Sequence, residues 1–245
     1  MPLNIAGTII DMHVHTTRGA TDSNLHPEEL AREAQRRGLS GVNITEHDRL
    51  WDRFALDDYR SRHGDRLLIA NGMEVSTDLG HILVIGLDGY VPGIRNAQEL
   101  RRVVREAGGY MIVAHPFRRF FDRVHFLREA REPFSLTPEQ AARLPVFQTV
   151  DAIEALNGAN SPRENLFALQ VARILGKPVT GGSDAHSTQG IGIFCTVFER
   201  ALESQEQMLA ELHAGRFQAH LGLLEGDLRP LTESSFEASP DNSAG

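Results

Sequence analysis

Eleven histidines are spread through the 245 residues, and six of them flank apolar runs. His13 and His15 close a run through Ile9 and Ile10. On a strand, alternate side chains point to one side, so both imidazoles project together from the strand end. Neutral imidazoles placed like that are a natural pair of metal ligands. Alone, the pair would equally describe one core and one surface histidine. The rest of the chain supplies partners: His47 ends the run Val42-Asn43-Ile44-Thr45, Glu74 follows Leu67-Leu68-Ile69-Ala70, and His115 follows Tyr110-Met111-Ile112-Val113. Asp184 and His186 follow Pro178-Val179-Thr180, and His81 opens its strand just after Glu74. Histidine and carboxylate without thiolate suits zinc, manganese or iron. The donors exceed what one ion needs, and a carboxylate such as Glu74 can bridge two, so a cluster of two or three divalent ions is implied. His26, His63, His125, His213 and His220 fall in loops, helices or late segments and read as surface or satisfied histidines.

The elements that must position these groups alternate between strand-like and helix-like. Pro27-Glu28-Glu29-Leu30 opens a helix, with proline in the first turn and carboxylates at its positive end. Asn96 caps a second helix that Gly108-Gly109 ends, and a third runs from Arg163 to Leu175 before Gly176. Residues 51–62, 117–131 and 203–214 read as helical, and the segment to Gln148 as looser. Repeated strand–helix alternation favours parallel strands joined by right-handed crossovers, hence a closed or nearly closed (β/α) barrel. In such barrels the reactive face lies at the C-terminal ends of the strands, where the histidines and carboxylates fall. Residues 1–225 are expected to form one domain, and the polar segment 226–245 a disordered tail.

Composition narrows the chemistry. A formal net charge of −8 argues against a general grip on long duplex nucleic acid. Cys195 is the only cysteine, which rules out an intramolecular disulfide and a thiolate zinc site. Lys177 is the only lysine. With no secretory signal and no long apolar stretch, the expectation is a cytoplasmic protein without a membrane partner. Nothing in the sequence sets an oligomeric state.

In order and spacing, Asp11-Met12-His13-Val14-His15, the segment from Asp22 to Leu30, Ile44-Thr45-Glu46-His47-Asp48, Gly72-Met73-Glu74, Gly80-His81, Ala114-His115-Pro116 and Ser183-Asp184-Ala185-His186 resemble the polymerase and histidinol phosphatase (PHP) superfamily. The resemblance covers residues 7–220. It implies a distorted (β/α)7 barrel and a metal-dependent phosphoesterase. It also implies one metal on His13, His15, Glu74 and Asp184, a second on Glu74, His81 and His115, and a third on Asp22, His47 and His186. Two features depart from the family pattern: the loop between His15 and Asp22 is longer than usual, and Glu46 stands where aspartate is frequent.

Three divalent ions against three carboxylates leave a positive centre even with a bridging hydroxide, which favours a small anionic phosphate ester: a phosphorylated metabolite, a nucleotide or a short oligonucleotide. The expected mechanism is attack by a metal-bridging hydroxide, with Glu74, Asp184 and His186 as the catalytic residues. Arg118, directly after His115-Pro116, is the first choice for forking onto phosphate, and Asn157 is a further substrate-binding candidate. The phenylalanines around Arg118 read as the inward side of an amphipathic segment. Two other readings compete. An amidohydrolase-type C–N hydrolase also begins with His-x-His, but many of those use a carboxylated lysine, and Lys177 precedes its strand. A non-catalytic metal-binding PHP-like domain would be expected to lack ligands.

Overall fold

A computed structural model describes residues 7–122 and 135–236. Its frame is a curled ten-stranded sheet. In chain order the elements around the site are β1 (Thr8–Val14), α1 (Pro27–Arg36), β2 (Gly41–His47), α2 (Arg53–His63), β3 (Leu68–Thr77), β4 (Gly80–Ile85), α3 (Ala97–Glu106) and β5 (Tyr110–Val113). There follow α4 (Pro138–Ala141), α5 (Pro145–Thr149), β6 (Ala152–Asn157), α6 (Pro162–Leu175), β7 (Val179–Gly182), β8 (Phe194–Phe198), α7 (Gln205–Ala214), β9 (Phe217–Leu221) and β10 (Arg229–Pro230). Across the sheet the order is β10-β9-β8-β1-β2-β3-β4-β5-β6-β7.

The strands β1, β2 and β3 are mutually parallel, as are β5, β6 and β7. Every residue of β1 and of β6 is buried, as expected where both faces of a sheet are covered. At its far end the curled sheet returns on itself. The Asp184 N–H donates to the His13 carbonyl at 2.8 Å, and the His15 N–H donates to the Ala185 carbonyl at 3.0 Å. The segment after β7 is thereby fastened beside the end of β1. This is the distorted barrel expected from the sequence, with the His, Asp and Glu side chains at its strand ends.

Three expectations need correction. First, the alternation is not uniformly parallel, because β4 runs antiparallel to both β3 and β5. Only Asp78 and Leu79 separate β3 from β4. A link that short can close only a hairpin, since a parallel return needs a dozen or so residues. The strands β8, β9 and β10 are antiparallel as well. Second, the helix expected over 117–131 begins instead as a succession of turns at 117–121, and residues 123–134, which include His125, lie outside the described residues. Phe117 is buried, and Phe120 and Phe121 pack against the same core, as the inward reading expects. Third, the segment from Gly226 is ordered as far as Phe236: Arg229 and Pro230 pair with β9, and Leu231 and Phe236 pack on the core. Its few apolar residues decide this, whatever the polarity of their neighbours. Residues 237–245 lie outside the described residues.

Helix ends follow local chemistry. Asn96 accepts the Glu99 N–H at the start of α3, and α6 ends at Gly176 with φ +63°. Among the described residues, no helix is long and apolar enough to cross a membrane.

Candidate metal centre

The ends of six strands, β1 to β5 and β7, and one loop bring the predicted donors together. Nε2 of His13 and Nε2 of His15 lie 3.0 Å apart. Oε2 of Glu74 is 3.5 Å from the first and 3.3 Å from the second. Oδ1 of Asp184 is 3.5 and 3.4 Å from the same two nitrogens. Four donors held at about 2.0–2.1 Å from one ion in a tetrahedron would be about 3.3–3.4 Å apart. The measured spacings bracket that edge. In addition, Oε2 of Glu74 is buried without a hydrogen-bond partner of good geometry. Orphaned buried polar atoms are costly unless something else satisfies them. These residues therefore fit a bound cation.

Glu74 is the hub. Its Oε1 lies 2.7 Å from Nδ1 of His81 and 2.9 Å from Nε2 of His115. Its Oε2 also lies 3.0 Å from Nδ1 of His47. On the outer side, Oδ2 of Asp22 is 3.3 Å from Nε2 of His47 and 3.5 Å from Nε2 of His186. The His15 ring packs against those of both His47 and His186, with centroids 4.3 and 4.4 Å away. The triplets His13/His15/Asp184, His13/Glu74/His115 and His15/His47/His186 could each hold an ion.

Behind the donors stand buried groups that orient them. His13 Nδ1 meets Oε1 of Glu154 at 2.9 Å, which leaves Nε2 facing the cluster. The other Glu154 oxygen accepts the His115 N–H at 2.8 Å and the Asn157 amide at 2.9 Å. A carboxylate behind a ligating histidine sets its tautomer and orientation. His186 Nδ1 donates to the Asp184 carbonyl at 2.9 Å, which likewise turns Nε2 toward Asp22. Asp11, wholly buried, accepts the Ser183 N–H at 2.8 Å and the Gly192 N–H at 2.9 Å. Burial pushes its carboxyl up to about 6 against those hydrogen bonds. Gly182 is required by close approach, since a Cβ there would lie 2.6 Å from Cβ of His13. His115 and Asp184 hold left-handed backbone, at φ 29° and 54°. Such conformations persist only where the surroundings enforce them, and they cluster at functional sites.

Electrostatics follow the same geometry. Burial alone would lower His13, but Glu154, Asp184 and Glu74 outweigh it and raise its imidazole well above the ordinary value. Burial would raise Glu74, yet the His13 charge and the hydrogen bonds from His115, His13 and His15 hold it well below the usual carboxylate range. Asp184 is also held low, against burial, by His13, His15, His115 and Arg118. The proton favoured on His13 thus occupies the place that a cation would take.

The two substrate candidates part company. Arg118 reaches the site: its Nη2 lies 3.1 Å from Oδ2 of Asp184, with the side chain 32 % exposed. Asn157 does not reach the open face. It is fully buried behind Asp184, where its amide donates to Glu154 and lies 3.3 Å from Oδ2 of Asp184, and its carbonyl accepts the Ala159 N–H. It supports the ligands and is closed to a substrate. Glu154 was not predicted. Its signal was a carboxylate inside an otherwise apolar strand, a residue almost never fully buried unless paired.

Comparison with known proteins agrees with this geometry. No curated protein matches the chain. Among solved structures, a candidate metal-dependent phosphoesterase from Bifidobacterium adolescentis superposes with a TM-score of 0.55 at 19% identity, over 78% of this chain and 92% of that one. PsfC from Pseudomonas syringae gives 0.56 at 15% identity, over 90% and 95%. The lesion-specific endonuclease EndoQ from Pyrococcus furiosus gives 0.51 at 17% identity, over 87% of this chain and 57% of that one. At such identities the likeness is one of fold. The PHP domain model matches residues 11–154, which hold every donor from His13 to His115, and a PHP-associated model matches residues 162–217, which hold Asp184 and His186. With more than half of its length matched and its donors inside the matched segments, the chain belongs to the PHP domain family.

Proposed function

We propose that this protein is a metal-dependent phosphoesterase acting on a small phosphate ester: a phosphorylated metabolite, a nucleotide or a short oligonucleotide. The observation that carries the reading is the convergence of six imidazoles on three carboxylates, Asp22, Glu74 and Asp184, with a fourth, Glu154, behind His13. Loaded with three divalent ions, such a site is positive in a chain of net charge −8, and it attracts anions. His13, His15, Glu74 and Asp184 would hold one ion, Glu74, His81 and His115 a second, and Asp22, His47 and His186 a third. Zinc, manganese or iron bound there supplies activated water at neutral pH and positive charge for the phosphoryl oxygens.

The chain's own residues do the rest. Glu154 keeps a proton on His13 Nδ1 and so keeps Nε2 aimed at the cluster. Asn157 holds Asp184 from behind, and Glu74 ties the inner donors to His81 and His115. Arg118, anchored on Asp184 at the rim, offers its remaining N–H groups to a phosphate oxygen. Lys177 does not enter the site, since its Nζ donates to the Val150 carbonyl at 2.7 Å, just before β6 begins. That supports phosphate-ester over carboxylated-lysine chemistry.

The test is elemental analysis of the purified protein, paired with assays on a phosphomonoester, a phosphodiester and short oligonucleotides after metal removal and restoration. Metal-dependent hydrolysis of at least one is expected. Hydrolysis of amides or lactones, with none of phosphate esters under any divalent metal, would overturn the reading.

A further inference from the structure

Glu46 lies next to a metal-ligand candidate but is not itself part of the cluster. Neighbours on a strand point to opposite sides. His47 is directed at Glu74 and Asp22, while the wholly buried Glu46 carboxylate turns to the loop that follows β1. One of its oxygens accepts the Thr16 N–H at 3.1 Å. The other accepts the Thr16 hydroxyl at 2.5 Å and the Trp51 indole N–H at 2.8 Å. The Thr16 hydroxyl accepts the Arg18 N–H in turn, and the Arg18 guanidinium lies 5.2 Å over the Trp51 ring. Gly19 rests on the same carboxylate, since a Cβ there would come within 2.4 Å of Cγ of Glu46.

The other end of the loop is pinned at the cluster. The Ser23 hydroxyl donates to the His15 carbonyl at 2.9 Å, and the Asn24 N–H donates to the His186 carbonyl at 2.9 Å. Between these two fastenings Asp22, with its side chain 59 % exposed, reaches His47 and His186. An aspartate at position 46 would be one methylene shorter and could not span to both Thr16 and Trp51 from the same backbone. The longer side chain and the longer loop therefore belong together.

We propose that Glu46 is a positioning residue. By clamping Thr16 and Trp51 it sets the loop that carries Asp22 to His47 and His186, so retention of an ion on that outer triad depends on Glu46. The proposal rests on the metal-dependent reading above and extends it to a residue outside the ligand set.

Trp51 is the only tryptophan, so its emission reports the clamp directly. The metal-free full chain is titrated with zinc while ions bound per chain and Trp51 emission are followed, alongside Glu46→Gln and Gly19→Ala. Glutamine keeps the length but turns an NH2 group toward a Thr16 donor. Alanine at 19 displaces the loop with the carboxylate intact. Both variants are expected to keep the tighter zinc and to hold the last one about ten-fold or more weakly. The emission change that accompanies the last zinc should vanish in Glu46→Gln. Binding of the same number of ions at unchanged affinity in both variants overturns the proposal. If Glu46→Gln fails to fold by circular dichroism, loss or retention of the last zinc in Gly19→Ala decides. Zinc uptake and hydrolysis unaffected by either variant sink only the assignment of Glu46. A parent protein that takes up no metal and hydrolyses no phosphate ester sinks the functional reading as well.

Discussion

The inner and outer halves of the centre are built differently. His13, His15 and Glu74 are at most 1% exposed, and they lie on strands of the sheet or, for His15, directly after one. Glu154 and Asn157 stand behind them, fully buried, and complete their hydrogen bonds. In the outer half the side chains of Asp22, His47 and His186 are 59, 32 and 28 % exposed, and Asp22 comes from a loop. Strands position side chains through the cooperative ladder, whereas a loop does so only through the few contacts that pin it. The contrast implies an inner site organised before any ion arrives and an outer site whose occupancy follows the state of one loop.

The largest test of that contrast removes an inner ligand. His13→Ala or Glu74→Ala should reduce hydrolysis to background while the far-ultraviolet spectrum stays folded, and activity retained in either would contradict the inner assignment. Next comes the support behind it. Glu154→Gln should weaken metal binding by about 10- to 100-fold, as loss of a group that orients a ligand generally does. Activity should then return at excess metal, and a variant that stays inactive when fully loaded would assign Glu154 another role. At the rim, Arg118→Ala should lower kcat/KM by about ten-fold, the value of one charge-assisted hydrogen bond of about 1.5 kcal/mol. Lysine should restore only part, because it lacks the planar fork. An unchanged kcat/KM would remove Arg118 from substrate binding.

The smallest effect is a matter of pH. In the metal-free protein the folded His13 imidazole titrates above its unfolded value of about 6.5. Its charged form therefore contributes stability that is complete below that value and is lost as pH rises through the folded one. Metal binding has the opposite sign, since the ligand must first lose its proton. The gap in melting temperature between metal-loaded and metal-free protein should therefore widen between pH 6 and pH 9. A gap that stays constant or narrows would show that His13 does not exchange a proton for metal.

Much of the centre was legible in the chain. His13 and His15 announce themselves by strand alternation, and Glu74, His115 and Asp184 by their place after apolar runs, because these signals are local. The hairpin that reverses β4 was also present, in a link of only Asp78 and Leu79, but the strand–helix rhythm around it suggested a parallel return. The order of residues 229–236 was hidden by their polar composition. It depends on Leu231 and Phe236 finding a core built by residues far away in sequence.

By itself, the sequence named the candidate donors, their order along the chain and the family to which those motifs belong. A donor's chemistry is intrinsic to its side chain, and strand periodicity is a short-range property. Only the tertiary structure decided which groups stand behind the donors. Glu154 meets His13 across 141 positions of chain, and Asn157 meets Asp184 across 27. It also decided that Asn157 is sealed away from substrate while Arg118 reaches the rim. Burial and pairing are set by the closing of the curled sheet, and no local pattern encodes which distant strand end will arrive opposite.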